Sequence, residues 1–459
     1  MDRRSFLALL AIPAVAAAAG SLQGCSSEGG VTSGSSSGPS TTPPSTPSGA
    51  AGVARSAKPR AATSLTDAVA ATTVVNDFGV DMYRVLKDPA HTKSPTIDQS
   101  APQNLVFSPA SIAIALAMTR TGARGTTATE MDAVLHVGDA AALPHAMNAL
   151  SSAFDSRTKK AIAGSDSVDV TLNVANSLWG QQGLAFETAF LDVLATEYGA
   201  GLQLVDYKAD PEGARKLINA WVNDATKQRI PELLPQGVIT SEARLTLVNA
   251  IYMKAPWLYP FVPSRTTSAA FTTLRGSVVQ APFMQLSEEL FYLKGAGWQS
   301  VELDYVGNEL TMVLVLPDDG ASLDSAVAVT AAPQDARPAT RQVTLSMPKF
   351  DIETMAELST LLGAMGMPTA FTDSADFSGM TTEEKLLIGA VIHQANITVD
   401  EAGTEAAAAT AVVMRATSAN LNEPVVLTLD RPFVFAIRDN PTGAVLFLGH
   451  IGDPTETRH

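Results

Sequence analysis

Cysteine is nearly absent from this 459-residue chain: the single residue, Cys25, can neither close an internal disulfide nor build a cysteine zinc site. Histidine is scarce as well, six in all. There is no H-E-x-x-H pair and no P-loop. Gly34-Ser35-Ser36-Ser37-Gly38 matches the letters of a nucleophile elbow, but no strand precedes it and no helix follows. Enzymatic catalysis, a metal centre and a bound cofactor are therefore not expected. Positive charge is also in deficit. With 31 Lys plus Arg against 46 Asp plus Glu, and basic groups such as Arg3-Arg4 and Lys159-Lys160 too few to outweigh the acidic surplus, the chain does not suit nucleic acid. Its net charge is −15.

What is present begins with an address. Arg3 and Arg4 precede an apolar stretch from Phe6 to Gly20, too short for the roughly 20 residues a spanning helix needs. Leu22-Gln23-Gly24-Cys25 follows and resembles the lipobox of bacterial lipoproteins, which implies a signal peptide over 1–24 and a lipid on Cys25. Gln23 is a less usual occupant of that motif. Arg3-Arg4-Ser5-Phe6-Leu7 reads either as a twin-arginine export signal or as an ordinary secretory n-region. The expectation is an exported protein, lipid-anchored to a bacterial membrane on its periplasmic or extracellular face. Residues 25–62 are mostly Ser, Gly, Thr, Pro and Ala, with almost nothing large and apolar to bury, and read as a tether.

Residues 63–459 read as one α+β domain without internal repeats. Val74, Phe78 and Met82 recur at helical spacing, and Ser108-Pro109 opens a second helix as N-cap and first-turn proline. Later come short β-rich runs: Leu245 to Met253, Leu310 to Leu316, Gln342 to Met347, Val425 to Leu429, Phe433 to Ile437 and Ala444 to Leu448. Helices first and strands later argue for a large sheet in an α+β arrangement. Gly320 to Arg341 reads as a helix-containing connection or an exposed loop, and His91 to Pro102 as a polar surface insertion.

Asp400 to Ala419, DEAGTEAAAATAVVMRATSA, gives two readings. By propensity its alanines favour helix. By parity, Thr404, Ala406, Ala408, Thr410, Val412 and Met414 form one uncharged face, while Glu401, Glu405 and Arg415 fall on the other. As a strand the segment would bury one face, and its small side chains would let it enter between existing strands. Local conflict of this kind marks a functional or bistable element.

Taken together, the chain resembles the serpin family. The similar blocks are Asn104-Leu105-Val106-Phe107-Ser108-Pro109-Ala110-Ser111-Ile112, Asn219-Ala220-Trp221-Val222 with Thr226, and Val248-Asn249-Ala250-Ile251-Tyr252-Met253-Lys254. Asn308-Glu309-Leu310 with Leu316-Pro317, Met347-Pro348-Lys349-Phe350 and Leu429-Asp430-Arg431-Pro432-Phe433-Val434-Phe435 continue the match in order, over about residues 64 to 454. The resemblance implies a large central β-sheet with additional sheets, surrounding helices and an exposed reactive loop. It also implies a suicide-substrate inhibitor of serine proteases: the loop is cleaved, and the acyl-enzyme is trapped as the cut loop inserts into the central sheet.

The same resemblance assigns residues. Glu401, Gly403 and Thr404 match the hinge, with Ala406, Ala407, Ala408 and Ala409 as its run of small residues; Ala402 is a mild departure. Family spacing puts the bait bond at Thr417–Ser418, which suits elastase-like or subtilisin-like proteases; the alternative, Arg415–Ala416, suits trypsin-like ones, and Met414 a chymotrypsin-like one. Ser108, Ser111, Asn249 and His393 match the hydrogen-bonded shutter beneath the opening sheet, beside Gln394 where a lysine is commoner. Trp257 and Lys349 match the breach where the loop enters, and Lys349 is expected to pair with Glu401. The partners implied are a serine protease and a membrane reached only through the lipid, with the protein itself a monomer. The alternative is a non-inhibitory member serving as a surface binding or storage protein; such members tend to have bulky or charged hinges.

Overall fold

The computed structural model describes residues 52–88, 103–163, 166–332, 337–405 and 423–457. Its helices are α1 (Leu65–Leu86), α2 (Pro109–Arg120), α3 (Gly125–Val134), α4 (Leu143–Asp155), α5 (Thr188–Tyr198), α6 (Pro211–Ala225), α7 (Leu323–Ala331) and α8 (Ser359–Met365). Its strands up to Thr272 are β1 (Gly52–Ala54), β2 (Asn104–Phe107), β3 (Lys159–Ala163), β4 (Asp166–Gln181), β5 (Leu202–Val205), β6 (Leu245–Pro256) and β7 (Thr267–Thr272). Then follow β8 (Val278–Gly295), β9 (Trp298–Asp304), β10 (Leu310–Pro317), β11 (Thr340–Pro348), β12 (Phe350–Glu357), β13 (Ala390–Val399), β14 (Gly403–Thr404), β15 (Val425–Thr428), β16 (Phe433–Asp439) and β17 (Val445–Ile451).

Local chemistry explains the helix starts. Ser64 and Asp67 form a reciprocal capping box at α1, whose stripe of Val74, Phe78 and Met82 is buried. Truncating fully buried Phe78 to alanine would cost about 3–5 kcal/mol. The Ser108 hydroxyl accepts from the Ser111 N–H, and Pro109 occupies the first turn, where its missing N–H costs nothing. The Gly320 to Arg341 connection contains a helix, α7. His91 to Pro102 lies outside the described residues.

Two sheets carry the molecule. The central one runs β1-β5-β4-β6-β14-β13-β12, with β3 paired to β4; the other runs β15-β11-β8-β9-β10-β16-β17-β2, with β7 paired to β8. Two corrections to the sequence reading arise here. The helices do not all come first: β4 spans Asp166–Gln181, where Asn173, Asn176, Ser177 and Gly180 dilute the apolar signal of a strand. Nor does the tether run on to residue 62, because Gly52–Ala54 pairs antiparallel with β5 and the following residues lie on α5 and α4.

The central sheet is forked. Strands β6 and β13 run parallel and pair directly only over Thr246–Ala250 and Ala390–Gln394. Further along, they part, and β14 sits between them, antiparallel to both: Gly403 opposite Pro256, Thr404 opposite Ala255 and also opposite Val399. Below, β6 is locked to β4 from Leu245 to Lys254. Among the described residues no helix is long and apolar enough to cross a membrane.

Candidate functional site

The site is the fork and its two ends. At the closed end, the register sets His393 beside Asn249 and Asn249 beside Asn176, so three strands bring polar side chains to one level. The backbone N–H of Ser108, at the start of α2, donates to His393 Nε2 at 3.1 Å. An N–H can only donate, so Nε2 carries the lone pair and the ring proton sits on Nδ1, which donates to Asn249 Oδ1. Ser111 Oγ donates to Asn176 Oδ1 at 3.0 Å, completing a network of α2, β4, β6 and β13. Burial holds the fully enclosed His393 neutral, pulling its pKa down to about 3 from 6.5. Among the described residues Asn249 Nδ2 and Gln394 Oε1 are buried without a hydrogen-bond partner.

At the open end, Asp400 turns the chain. Its Oδ1 accepts from the N–H groups of Ala402 and Gly403 at 2.8 and 3.2 Å. The turn is gripped from the segment after β6: the Trp257 indole donates to Asp400 O at 3.0 Å, Trp257 N–H to Ala402 O and Phe261 N–H to Glu401 O, both at 2.9 Å. Glu401 is held by Lys349 at 2.7 Å and by the Thr266 hydroxyl at 2.7 Å. Burial alone would raise the Glu401 carboxyl; the bonds from Lys349 and Thr266 outweigh it and hold it below the usual carboxylate range.

Strand β14 then enters the sheet. A Cβ on Gly403 would stand 2.2 Å from Ala255 O and 2.7 Å from Pro256 Cα, so only glycine fits this close approach. Thr404 is 2% exposed, and its hydroxyl meets that of buried Tyr305 at 2.7 Å. Tyr305 in turn stacks on Trp257, with ring centroids 4.5 Å apart. Glu405 leaves the sheet with a left-handed backbone, φ 49°, and its carboxylate lies 3.1 Å from Arg229.

The structure thus brings Ser108, Ser111, Asn249 and His393 into one cluster, and Trp257, Lys349, Glu401, Gly403 and Thr404 into another. Ala406 to Ala409, Arg415, Ala416, Thr417, Ser418 and Cys25 lie outside the described residues. The sequence pattern singles out none of Tyr305, Asn176 and Arg229. Each is defined by what it faces across the sheet, and only the polar positions inside β4 hint at Asn176.

A family model described as "Serpin (serine protease inhibitor)" matches residues 73–454. The chain is a serpin. Leukocyte elastase inhibitor A of Rattus norvegicus is 35% identical over 373 residues, covering 78% of this serpin and 96% of the relative. Leukocyte elastase inhibitor of Bos taurus is 36% identical over 392 residues, covering 82% and 97%. Among solved structures, Serpin48 of the insect Tenebrio molitor, titled a highly specific serpin, superposes with a TM-score of 0.68 at 28% identity, covering 83% of this chain and 98% of that one.

Proposed function

We propose that this serpin inhibits serine proteases as a suicide substrate, with Thr417–Ser418 as the bait bond, and that Cys25 carries a lipid anchoring it to a bacterial membrane on the periplasmic or extracellular face. The observation that carries the inhibitory reading is the start of a strand already seated in the fork. In the antiparallel register of Gly403–Pro256 and Thr404–Ala255, each residue added after Thr404 pairs one position earlier on β6. Thr410 would then meet Asn249 at the junction, and Met414 would meet Leu245, where β6 begins. Ala406, Ala408, Thr410 and Val412 share the parity of Thr404, whose side chain faces the core. The uncharged face found in the sequence is the face that insertion would bury.

The chemistry is a race. The protease serine Oγ adds to the Thr417 carbonyl, the C–N bond to Ser418 breaks, and the Ser418 amine leaves with the proton, leaving Thr417 esterified to the enzyme. Water must then reach that ester before insertion carries it away. The native sheet is held by a barrier, and the inserted form is the lower state. The names of the elastase-inhibiting relatives agree with the small residues around the bait bond.

The test is incubation with elastase-like, subtilisin-like and trypsin-like serine proteases, followed by denaturing gels and mass spectrometry. A covalent band with a released peptide starting at Ser418 is expected; a peptide starting at Ala416 would move the bait to Arg415. Complete turnover with no covalent band across the panel would sink the inhibitory reading. The anchor is tested separately, by mass spectrometry of the N-terminal peptide of membrane-extracted protein: an unmodified Cys25 would refute it.

A further inference from the structure

Below the level of His393 and Asn249, the chain leading into β13 is bound to strands on the other side of the seam between β6 and β13. Glu384 Oε1 accepts from Arg244 Nε at 2.9 Å, and Oε2 accepts from Lys208 Nζ at 3.0 Å. Arg244 stands immediately before β6 and Lys208 follows β5, whereas Glu384 runs into β13. Arg244 is itself fixed: Nη1 donates to Ser241 O and Ala243 O, each at 2.8 Å, and its carbonyl accepts from the Gln181 N–H at the end of β4. The bonds from Arg244 and Lys208 outweigh burial and hold the Glu384 carboxyl below its usual range. Neighbouring bonds keep the same stretch in place, with the Ala185 N–H donating to Glu383 Oε2 at 2.8 Å and Thr381 Oγ1 to Ala185 O at 2.7 Å.

The chain between Glu384 and β13 has no slack. Leu386 and Ile388 are 3% and 2% exposed, and the Ile388 N–H donates to Ala370 O at 3.0 Å. Gly389 then closes on β6, its N–H donating to Leu245 O at 3.0 Å. Adjacent strands lie about 4.8 Å apart, so a strand inserted to this depth moves β6 and β13 apart by about that much. The Gly389 bond cannot survive such a displacement. The Arg244–Glu384 pair must part with it, unless buried Leu386 and Ile388 leave their seats.

Strand register says when this happens. Continuing from Gly403–Pro256 and Thr404–Ala255, position 412 meets Leu247, 414 meets Leu245 and 415 meets Arg244. Insertion as far as position 412 therefore leaves the base intact, and only the last steps disturb it.

We propose that Glu384, held by Arg244 and Lys208, is a clasp at the base of the central sheet: a positioning residue that resists only the final steps of loop insertion and so sets how far a captured enzyme is carried. The clasp rests on the suicide-substrate reading and names one step within it. It lies at the opposite end of the seam from the turn at Asp400, so the start of insertion is indifferent to it.

The experiment offers the full chain two synthetic peptides of its own sequence, in competition at equal concentration and without any protease. Thr404–Val412 stops above the clasp, and Thr404–Thr417 passes it. The ratio of long to short peptide bound at equilibrium is read by mass spectrometry of the isolated complex, for the parent and for Glu384→Ala, Arg244→Ala, the double variant and Glu384→Asp. Glu384→Ala should raise that ratio about tenfold, the scale of one charge-assisted hydrogen bond at a partly exposed site. Arg244→Ala should move it in the same direction, the double variant no further than Glu384→Ala, and Glu384→Asp only part of the way. A ratio that no variant changes would overturn the proposal, and that includes a variant that binds both peptides equally better, since the sheet would then be loosened as a whole. A parent that takes up neither peptide would refute loop insertion and the clasp with it, whereas uptake of both at a ratio indifferent to residue 384 would remove the clasp alone.

Discussion

Acid should loosen the fork, and the size of the effect follows from one side chain. His393 is neutral in the folded state with a pKa of about 3, against 6.5 for an unhindered histidine. A depressed pKa means that the unfolded chain takes up a proton the folded chain refuses. The stability this histidine supports is intact above pH 6.5 and is lost progressively as pH falls toward 3. At about 1.36 kcal/mol per pH unit, the loss is about 2 kcal/mol at pH 5 and about 3 kcal/mol at pH 4. Protonating Nε2 would also break its bond to the Ser108 N–H, so the junction of α2, β6 and β13 is where the loss is felt. The assay is urea unfolding, entered from the native side, of the parent and His393→Gln between pH 7.5 and 4.5. The variant should start about 1–2 kcal/mol less stable, because one or two buried hydrogen bonds are lost. That deficit should then shrink by about 2 kcal/mol on reaching pH 5 as the parent alone takes the penalty. A difference between the two proteins that stays constant across this range would refute the reasoning.

Thr404→Arg places a charge where the side chain is enclosed against Tyr305. A barrier raised by about 2.7 kcal/mol slows insertion about a hundredfold, so gels should show cleaved protein accumulating in place of the covalent complex. Asp439 is fully buried and ion-paired to Arg157, with Thr442 bonded to the same carboxylate. Asp439→Asn should cost about 3–5 kcal/mol in urea unfolding, and adding Arg157→Met should recover a large part of it by removing the stranded charge.

The legible parts of this protein were those whose physics is local. Ser108-Pro109 announces the start of α2 because an N-cap and a first-turn proline act within a few residues. The strands from Leu245 onward stand out because their runs are apolar and bounded by turn formers. The even-numbered face from Thr404 could be read because strand geometry has a fixed period, and the inward-facing Thr404 agrees with it. Other parts were illegible for equally physical reasons. Long β4 hides behind Asn173, Asn176 and Ser177, of which Asn173 and Asn176 are polar because they bond to α6 and α2. Tyr305 enters the site through Trp257 and Thr404, partners 48 and 99 residues away. The docked segment ahead of α1 is the extreme case, since Gly52 to Ala61 has neither periodicity nor apolar bulk. What docks it is a set of hydrogen bonds to Asn148, Asp192 and Thr196 that no window along the chain contains.

The strand register also fixes where a captive would end its journey. From Thr404 to Thr417, at about 3.3 Å per residue, an inserted loop would reach roughly 43 Å down the sheet. That carries residue 417 past Leu245, the end of the sheet where Leu245–Leu247 of β6 faces Leu178–Gly180 of β4, and where β4 and β5 carry β1. An inhibitor working as proposed would leave its captive at the end of the sheet where β1 pairs with β5, far from the turn at Asp400 where insertion starts. Fluorophores on β1 and on the protease would report the captive's arrival as a distance that shortens once per molecule.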